Sequence, residues 1–142
     1  MMTTSRVADA TAPNDDPKAR AMRGVLRTLN ATSPEIEASA VISGDGLMLA
    51  SVLGEGVDVD RFGAMCASLL ALADRAAQEI SRGTLKQVLI EGDKGTMLLV
   101  YAGTEMVLAV AAKPKAQLGM VFIEAKKTAQ KLAEGALTGF NW

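Results

Sequence analysis

The hydrophobic pattern at the start of the chain predicts one helix and one β-hairpin. An apolar stripe at helical spacing occupies residues 22–29. Before it stand Asp16 and Pro17, which suit the N-cap and the first helical position. Residues 37–52 then alternate in the manner of two strands on either side of a Gly-Asp-Gly turn at residues 44–46. Glycine permits the positive φ that tight hairpin turns use, so these two strands are predicted to pair.

A second helix is predicted over residues 57–80, and it carries no charge between Phe62 and Ala73. A surface helix normally has one apolar stripe and a solvated back. Here the pattern predicts a buried arc of large residues, namely Phe62, Met65, Leu69, Leu70, Leu72 and Ile80. The opposite arc is small and equally uncharged, and it comprises Ala64, Ala67, Ser68 and Ala71. Because the solvated back is missing, we expect a second copy of the chain to cover the small arc. Cys66 is expected to be a buried apolar side chain and not a reactive thiol.

Three further strands are predicted at hairpin spacing over residues 84–91, 96–101 and 105–112, followed by a last helix over residues 115–134. The element order is α-β-β-α-β-β-β-α, which predicts an α+β fold with a five-stranded antiparallel sheet and helices on both faces. The nearly all-apolar strand at 105–112 suits the centre of that sheet. The Gly-Asp-Lys-Gly turn at 92–95 lacks the spacing of a phosphate loop, so no nucleotide site is predicted.

Composition excludes several classes of function. The 142 residues suit one domain, and the formal net charge of -1 without a basic run argues against nucleic-acid binding. No apolar stretch reaches the ~20 residues that span a bilayer, so no membrane contact is expected. A single cysteine fits a cytoplasmic protein. The chain contains no histidine, which removes the commonest general base and most zinc sites. We therefore expect neither enzyme activity nor a cofactor.

The predicted domain comprises residues 17–137. Residues 1–16 are rich in Thr, Ala, Asp and Pro without periodicity and are predicted to form a disordered tail. The sequence predicts Gly135 as the end of the last helix, and residues 138–142 as a short C-terminal tail that carries Phe140 and Trp142. These aromatic residues fit either a frayed end or a short peptide that docks on this or another protein.

The order of these elements resembles the roadblock domain family, which includes dynein light chain roadblock and prokaryotic relatives. The resemblance rests on the segments VISGDGLMLAS and GTLKQVLIEGDKGTMLLVYAG, on the Ala/Leu-rich helix between them and on the Leu118-Gly119 pair that opens the last helix. It covers residues 22–137. It implies a roadblock/profilin-like sheet with the second helix on one face and the first and last helices on the other.

The resemblance also implies a homodimer, or a heterodimer with a second roadblock protein. In such a dimer the second helices pack together and the third strands join the two sheets. The third strand would be an exposed apolar edge unless it is paired. We therefore assign the dimer interface to residues of the small arc and of the third strand: Ala64, Ala67, Ser68, Ala71, Leu85, Gln87 and Leu89.

A small Ras-like GTPase is the further partner that the resemblance implies. In this family the partner lies over the paired second helices, so the candidate GTPase contact is the polar end of that helix: Asp74, Arg75, Gln78 and Arg82. A solvated face of mixed charge explains the same residues equally well. The basic side of the last helix is the other candidate: Lys126, Lys127 and Lys131. The resemblance carries no arginine finger onto any position of this chain.

Taken as a sequence, the chain is predicted to be a dimeric, non-enzymatic, cytoplasmic protein that binds and regulates a small GTPase. A pure signalling scaffold is the alternative on the same fold. A small-molecule sensor is the alternative from another class, and the lack of converging polar residues on the predicted inner faces argues against it.

Overall fold

The computed structural model describes residues 16–141, so residues 1–15 of the predicted tail at 1–16, and Trp142, lie outside the described part. The elements are α1 Pro17–Thr32, β1 Ile36–Ser43, β2 Met48–Val52, α2 Val59–Glu79, β3 Gln87–Gly92, β4 Gly95–Ala102, β5 Met106–Ala112 and α3 Leu118–Thr138. This order confirms the predicted α+β fold.

One five-stranded sheet contains all of these strands in the order β2-β1-β5-β4-β3. Every pair of neighbours is antiparallel. β5 lies at the centre and is almost entirely buried, as its apolar sequence predicts. β2 and β3 form the two edges, and the residues of β3 are half-buried or exposed.

The sheet separates two apolar layers. α1 and α3 cover one face through a core that includes Leu26, Leu108 and Leu132. α2 covers the other face through a smaller core around Cys66 and Leu70. Burial raises the pKa of the Cys66 thiol to about 11, so the thiol stays protonated near neutral pH and packs as a small apolar group. This arrangement confirms the predicted distribution of helices over the two faces.

α2 ends earlier than its sequence predicts. The sequence predicts a helix over residues 57–80, but the helix ends at Glu79. Ser81 adopts a φ of 60°, and the Arg82 N–H donates back to the Ala77 carbonyl oxygen at 2.7 Å. A serine thus occupies the left-handed position that glycine commonly takes after a helix.

Ser81→Gly is expected to stabilise the fold by about 0.5–1 kcal/mol. A Cβ atom in the left-handed region costs roughly 1–2 kcal/mol, and the greater backbone freedom of unfolded glycine cancels only part of that gain. The midpoint of urea unfolding at fixed protein concentration measures the change. Ser81→Ala is the control, because alanine keeps the Cβ atom and should give no such increase. A lower midpoint for Ser81→Gly than for the wild type would contradict this reading of the turn.

α3 continues past its predicted end. Gly135 is buried inside the helix, which runs to Thr138 and ends at Gly139 with a φ of 70°. The Phe140 N–H donates to the Gly135 carbonyl oxygen at 2.6 Å. The Phe140 ring is half-buried against the core between the sheet and the helices α1 and α3. Phe140 therefore docks on this chain.

Candidate protein–protein interface

The face of α2 that points away from the sheet carries a stripe of uncharged residues. Ala64, Ser68 and Ala71 lie on it and are exposed. Met65 and Leu72 lie on it as well, with 60% and 64% of their surface exposed. These five residues are called the outer stripe below. Large apolar side chains grouped on a surface mark a site of interaction more often than isolated ones do.

The outer stripe corrects the predicted division of α2 by side-chain size. The prediction placed Met65, Leu72 and Ile80 on the buried arc, yet all three are at least 60% exposed. The fully buried residues of the helix are Gly63, Cys66 and Leu70. Gly63 and Cys66 therefore face the sheet beside Leu70, and the half-buried Phe62 and Leu69 pack against the same core. The other large residues of the predicted arc face outward.

A close backbone contact explains why α2 turns small residues toward the sheet. A Cβ atom on Gly63 would lie 2.6 Å from the carbonyl oxygen of Gly46, in the turn between β1 and β2. Only glycine permits this approach. A Cβ atom on Gly46 would in turn lie 3.3 Å from the Ala67 Cβ atom. Ala67, a predicted interface residue, is thus half-buried beside the hairpin turn and lies at the flank of the outer stripe.

The outer side of β3 is the second exposed feature. Within residues 16–141 no strand pairs with this side, so half of its backbone N–H and C=O groups point away from the sheet. Leu89 and Ile90 are 44% and 39% exposed, whereas the other two predicted interface residues of this segment, Leu85 and Gln87, are half-buried. An unblocked apolar edge of this kind is a template for pairing with another chain.

Asp74 connects α2 to the start of β3. One carboxylate oxygen accepts a hydrogen bond from the Leu85 N–H at 3.0 Å, and the other accepts one from Gln78 Nε2 at 2.8 Å. Burial, together with the Asp74 charge, raises the pKa of Tyr101 on the neighbouring strand. Both oxygens of Asp74 are therefore engaged inside the chain, and they tie the C-terminal part of α2 to the segment that enters β3.

The four candidate GTPase residues do not form one row. Arg75 is exposed on the outer side of α2, one helical turn beyond Ala71 and Leu72. Arg82 lies past the end of the helix, where its Nε donates to the Ile80 carbonyl oxygen at 3.1 Å. The sequence places Arg82 at the polar end of the helix, whereas α2 ends at Glu79, before it.

A notch opens where β4 extends beyond the start of β3. Gln87, the first residue of β3, pairs with Val100, so Tyr101 and Ala102 have no β3 residue beside them. The space of about 400 Å³ is called the basic notch below, and it is lined by Lys86, Gln87, Val100, Tyr101 and Lys126. The lining contains hydrogen-bond donors and two cations but no carboxylate. Sequence reasoning missed this feature because its lysines come from distant segments.

A cluster of metal-binding side chains is not found among the described residues. In the part of the chain from 16 to 141, no three Cys, Asp or Glu side chains are placed to hold a metal ion. None of the helices in that part combines the length and apolar character that crossing a bilayer requires. The Gly-Asp-Lys-Gly segment at 92–95 closes the hairpin of β3 and β4, as predicted.

Comparison with known proteins gives matches across most of the chain. The pattern of the Roadblock/LC7 domain matches residues 24–112. The protein called Uncharacterized protein MJ1340 of Methanocaldococcus jannaschii is 43% identical over 108 residues, which cover 76% of this chain and 93% of that protein.

Solved structures share the fold. Myxococcus xanthus MglB superposes with a TM-score of 0.78 at 18% identity, covering 87% of this chain and 92% of MglB. A Roadblock/LC7 domain from Streptomyces avermitilis gives a TM-score of 0.75 at 21% identity, covering 81% and 97% of the two chains. At these identities the likeness concerns the backbone arrangement alone.

Proposed function

Because the chain belongs to the Roadblock/LC7 domain family, we propose that it is a dimeric, non-enzymatic protein that binds and regulates a small Ras-like GTPase. The observation that carries the proposal is the outer stripe, which exposes Met65 and Leu72 among uncharged neighbours on a chain that also leaves one edge of β3 open. One contact that covers both features removes apolar surface from water and gives the free backbone groups of β3 a partner. We expect it to bury a total of ~1,600 Å².

A second copy of the same chain is the simplest occupant of this surface. The outer stripe carries no charge, so two copies can meet there without like-charge repulsion. A two-fold contact also requires a surface that complements itself, which a strip of small and flexible apolar side chains achieves readily. A second roadblock protein with a similar stripe would satisfy the same geometry. The single cysteine supports a cytoplasmic location for the assembly.

The GTPase is proposed to contact the exposed cations at the C-terminal end of the paired α2 helices. Arg75 is the strongest candidate because it stands on the outer side of the helix, next to the outer stripe. Arg82 is exposed in the following turn. Asp74 and Gln78 contribute less directly, since their side chains bond to each other and Asp74 also holds the entry to β3.

Arg75→Glu combined with Arg82→Glu is expected to weaken GTPase binding about tenfold, mainly through slower association, because charges at the rim of an interface act chiefly on the encounter rate. Surface plasmon resonance with the organism's Ras-like GTPases, loaded with a non-hydrolysable GTP analogue, measures both rates. The dimer mass should not change.

The control for this experiment is Arg27→Glu, an exposed arginine of α1 on the opposite side of the sheet, which should bind as the wild type does. Unchanged binding by the double reversal would contradict the proposed contact. The GTPase contact would then be assigned to the basic side of α3, at Lys126, Lys127 and Lys131.

A pure scaffold is the second candidate, and the engagement of Asp74 inside the chain favours it. Because the side chains of Asp74 and Gln78 are hydrogen-bonded to each other, few polar side chains at the C-terminal end of α2 are free to act on a bound GTPase. The rate of GTP hydrolysis by the bound GTPase separates the two functions: a regulator changes that rate, whereas a scaffold leaves it unaltered while binding persists.

A further inference from the structure

We propose that the basic notch receives Glu91 from a second copy of this chain, so that two equivalent charge contacts fix the pairing of the β3 strands. The inference rests on the dimer of the proposed function. It adds the register of the two paired β3 strands and the charged groups that meet across them. It depends on three features of β3: the direction in which its backbone N–H and C=O groups point, the face of the sheet on which its side chains lie, and the distribution of charge along the strand.

The hairpin geometry decides which backbone groups of β3 are available to a partner. Gly92 pairs with Gly95 across a two-residue turn, and the pair that closes such a turn is a hydrogen-bonded one. Hydrogen-bonded and non-bonded pairs alternate along antiparallel strands, so Ile90 also directs its backbone groups toward β4. The residues whose backbone groups face the open edge are Gln87, Leu89 and Glu91.

Two-fold symmetry and apolar burial select the register. Leu89 is the middle residue of the outward-facing set and is 44% exposed, so placing it opposite its own copy buries apolar surface at the axis. Gln87 then lies opposite the partner's Glu91. Gln87, Leu89 and Glu91 share one face of the sheet, because Leu89 pairs with Leu98 of the core under α1 and α3. The partner's carboxylate therefore arrives on the face that carries Lys126.

The charges at the two ends of β3 are opposite in sign. Lys86 precedes the strand and Glu91 stands near its end. Among residues 16–141 neither side chain has an ion-pair partner within the chain. Antiparallel pairing brings the basic notch of each copy to the acidic strand end of the other, and the symmetry makes this contact twice. The notch supplies Lys86 and Lys126 as cations and no competing carboxylate.

Charge reversal with mixing tests the contact. Lys86→Glu and Glu91→Lys each place two like-charge contacts in the homodimer, and each is expected to raise the dimer Kd about tenfold. When the two variants are mixed, the altered notch of one chain meets the altered strand end of the other, and the two native groups meet each other. Both contacts then unite opposite charges, so the mixed dimer should recover most of the wild-type affinity. Because the two substitutions hardly change the chain mass, one variant is labelled with ¹⁵N, and native mass spectrometry then distinguishes the three dimers.

Lys126→Glu and Lys127→Glu provide a matched pair of neighbours on α3. Lys126 lines the notch, whereas Lys127 is exposed outside it. The first variant should weaken the dimer and the second should not. A wild-type chain that stays monomeric would overturn the proposed function itself. A wild-type dimer that is insensitive to the reversals, or single variants that mix without recovery, would overturn the notch contact and leave a dimer through the outer stripe standing.

Discussion

Ala71→Glu is expected to convert the proposed dimer into a folded monomer of 14.8 kDa at micromolar concentration. Ala71 is exposed on the outer stripe, so the free chain solvates the new carboxylate and keeps its fold. In the dimer, one carboxylate from each copy enters an uncharged contact without a cation to pair with. An unpaired buried charge costs several kcal/mol. Since every ~1.4 kcal/mol raises the Kd tenfold, this cost should shift the dimer to monomer at micromolar concentration. Sedimentation velocity measures the mass, and circular dichroism checks the fold.

Ala136→Glu is the control for that experiment, because it adds the same charge at an exposed position of α3 and should leave the dimer intact. Two leucines of α2 separate interface effects from core effects. Leu72 is 64% exposed and Leu70 is 5% exposed. Truncating Leu70 to alanine should cost roughly 2–5 kcal/mol of folding free energy, whereas Leu72→Ala should weaken the dimer and change monomer stability little. If Ala71→Glu keeps the wild-type Kd, the outer stripe is not the interface.

The element order of this chain follows from local sequence because each element carries its own signal. Asp16 as the N-cap and Pro17 at the first helical position mark the start of α1, and the structure places both as such. The turns at 44–46 and 92–95 mark hairpins through glycine. The run of apolar residues in β5 marks the central strand. None of these signals requires knowledge of what packs against the element.

The orientation of α2 required knowledge of its neighbours. The sequence shows two uncharged arcs and does not say which one faces the sheet, so the size of the side chains was the available guide. The Gly46 and Gly63 backbones lie so close that only small residues fit between the helix and the hairpin. That approach rotates Met65 and Leu72 outward. Gly63, near the start of α2 and of its uncharged stretch, is the sequence signal that marks the close contact.

The polar details depend on long-range contacts in the same way. The sequence places Asp74 on a solvated face, yet its carboxylate accepts a hydrogen bond from the backbone N–H of Leu85, in the segment between α2 and β3. Lys86 and Lys126 of α3 both line the basic notch, although no local sequence pattern relates the two residues. Charged residues of α2 and α3 could therefore be recognised as exposed from sequence, but their partners could not.

Gly63→Ala is expected to destabilise the fold by about 1–3 kcal/mol, even though alanine is the better helix former. The added Cβ atom would stand 2.6 Å from the Gly46 carbonyl oxygen. That oxygen belongs to the backbone of a tight turn and cannot rotate away as a side chain would. The helix or the hairpin must move, and the packing of Cys66 and Leu70 beneath the helix loosens with it. Urea unfolding at fixed protein concentration measures the loss.

Gly24→Ala makes the comparison decisive, because Gly24 also lies inside a helix but its Cβ atom would meet nothing within 4 Å. This variant should gain about 0.5–1 kcal/mol from helix propensity, so the two substitutions are expected to differ in sign. Moving α2 away from the hairpin also displaces the outer stripe relative to the edge of β3. Gly63→Ala should therefore weaken the dimer as well as the fold, and Gly24→Ala should leave the dimer Kd unchanged. A stabilising Gly63→Ala would mean that the close contact does not set the position of α2.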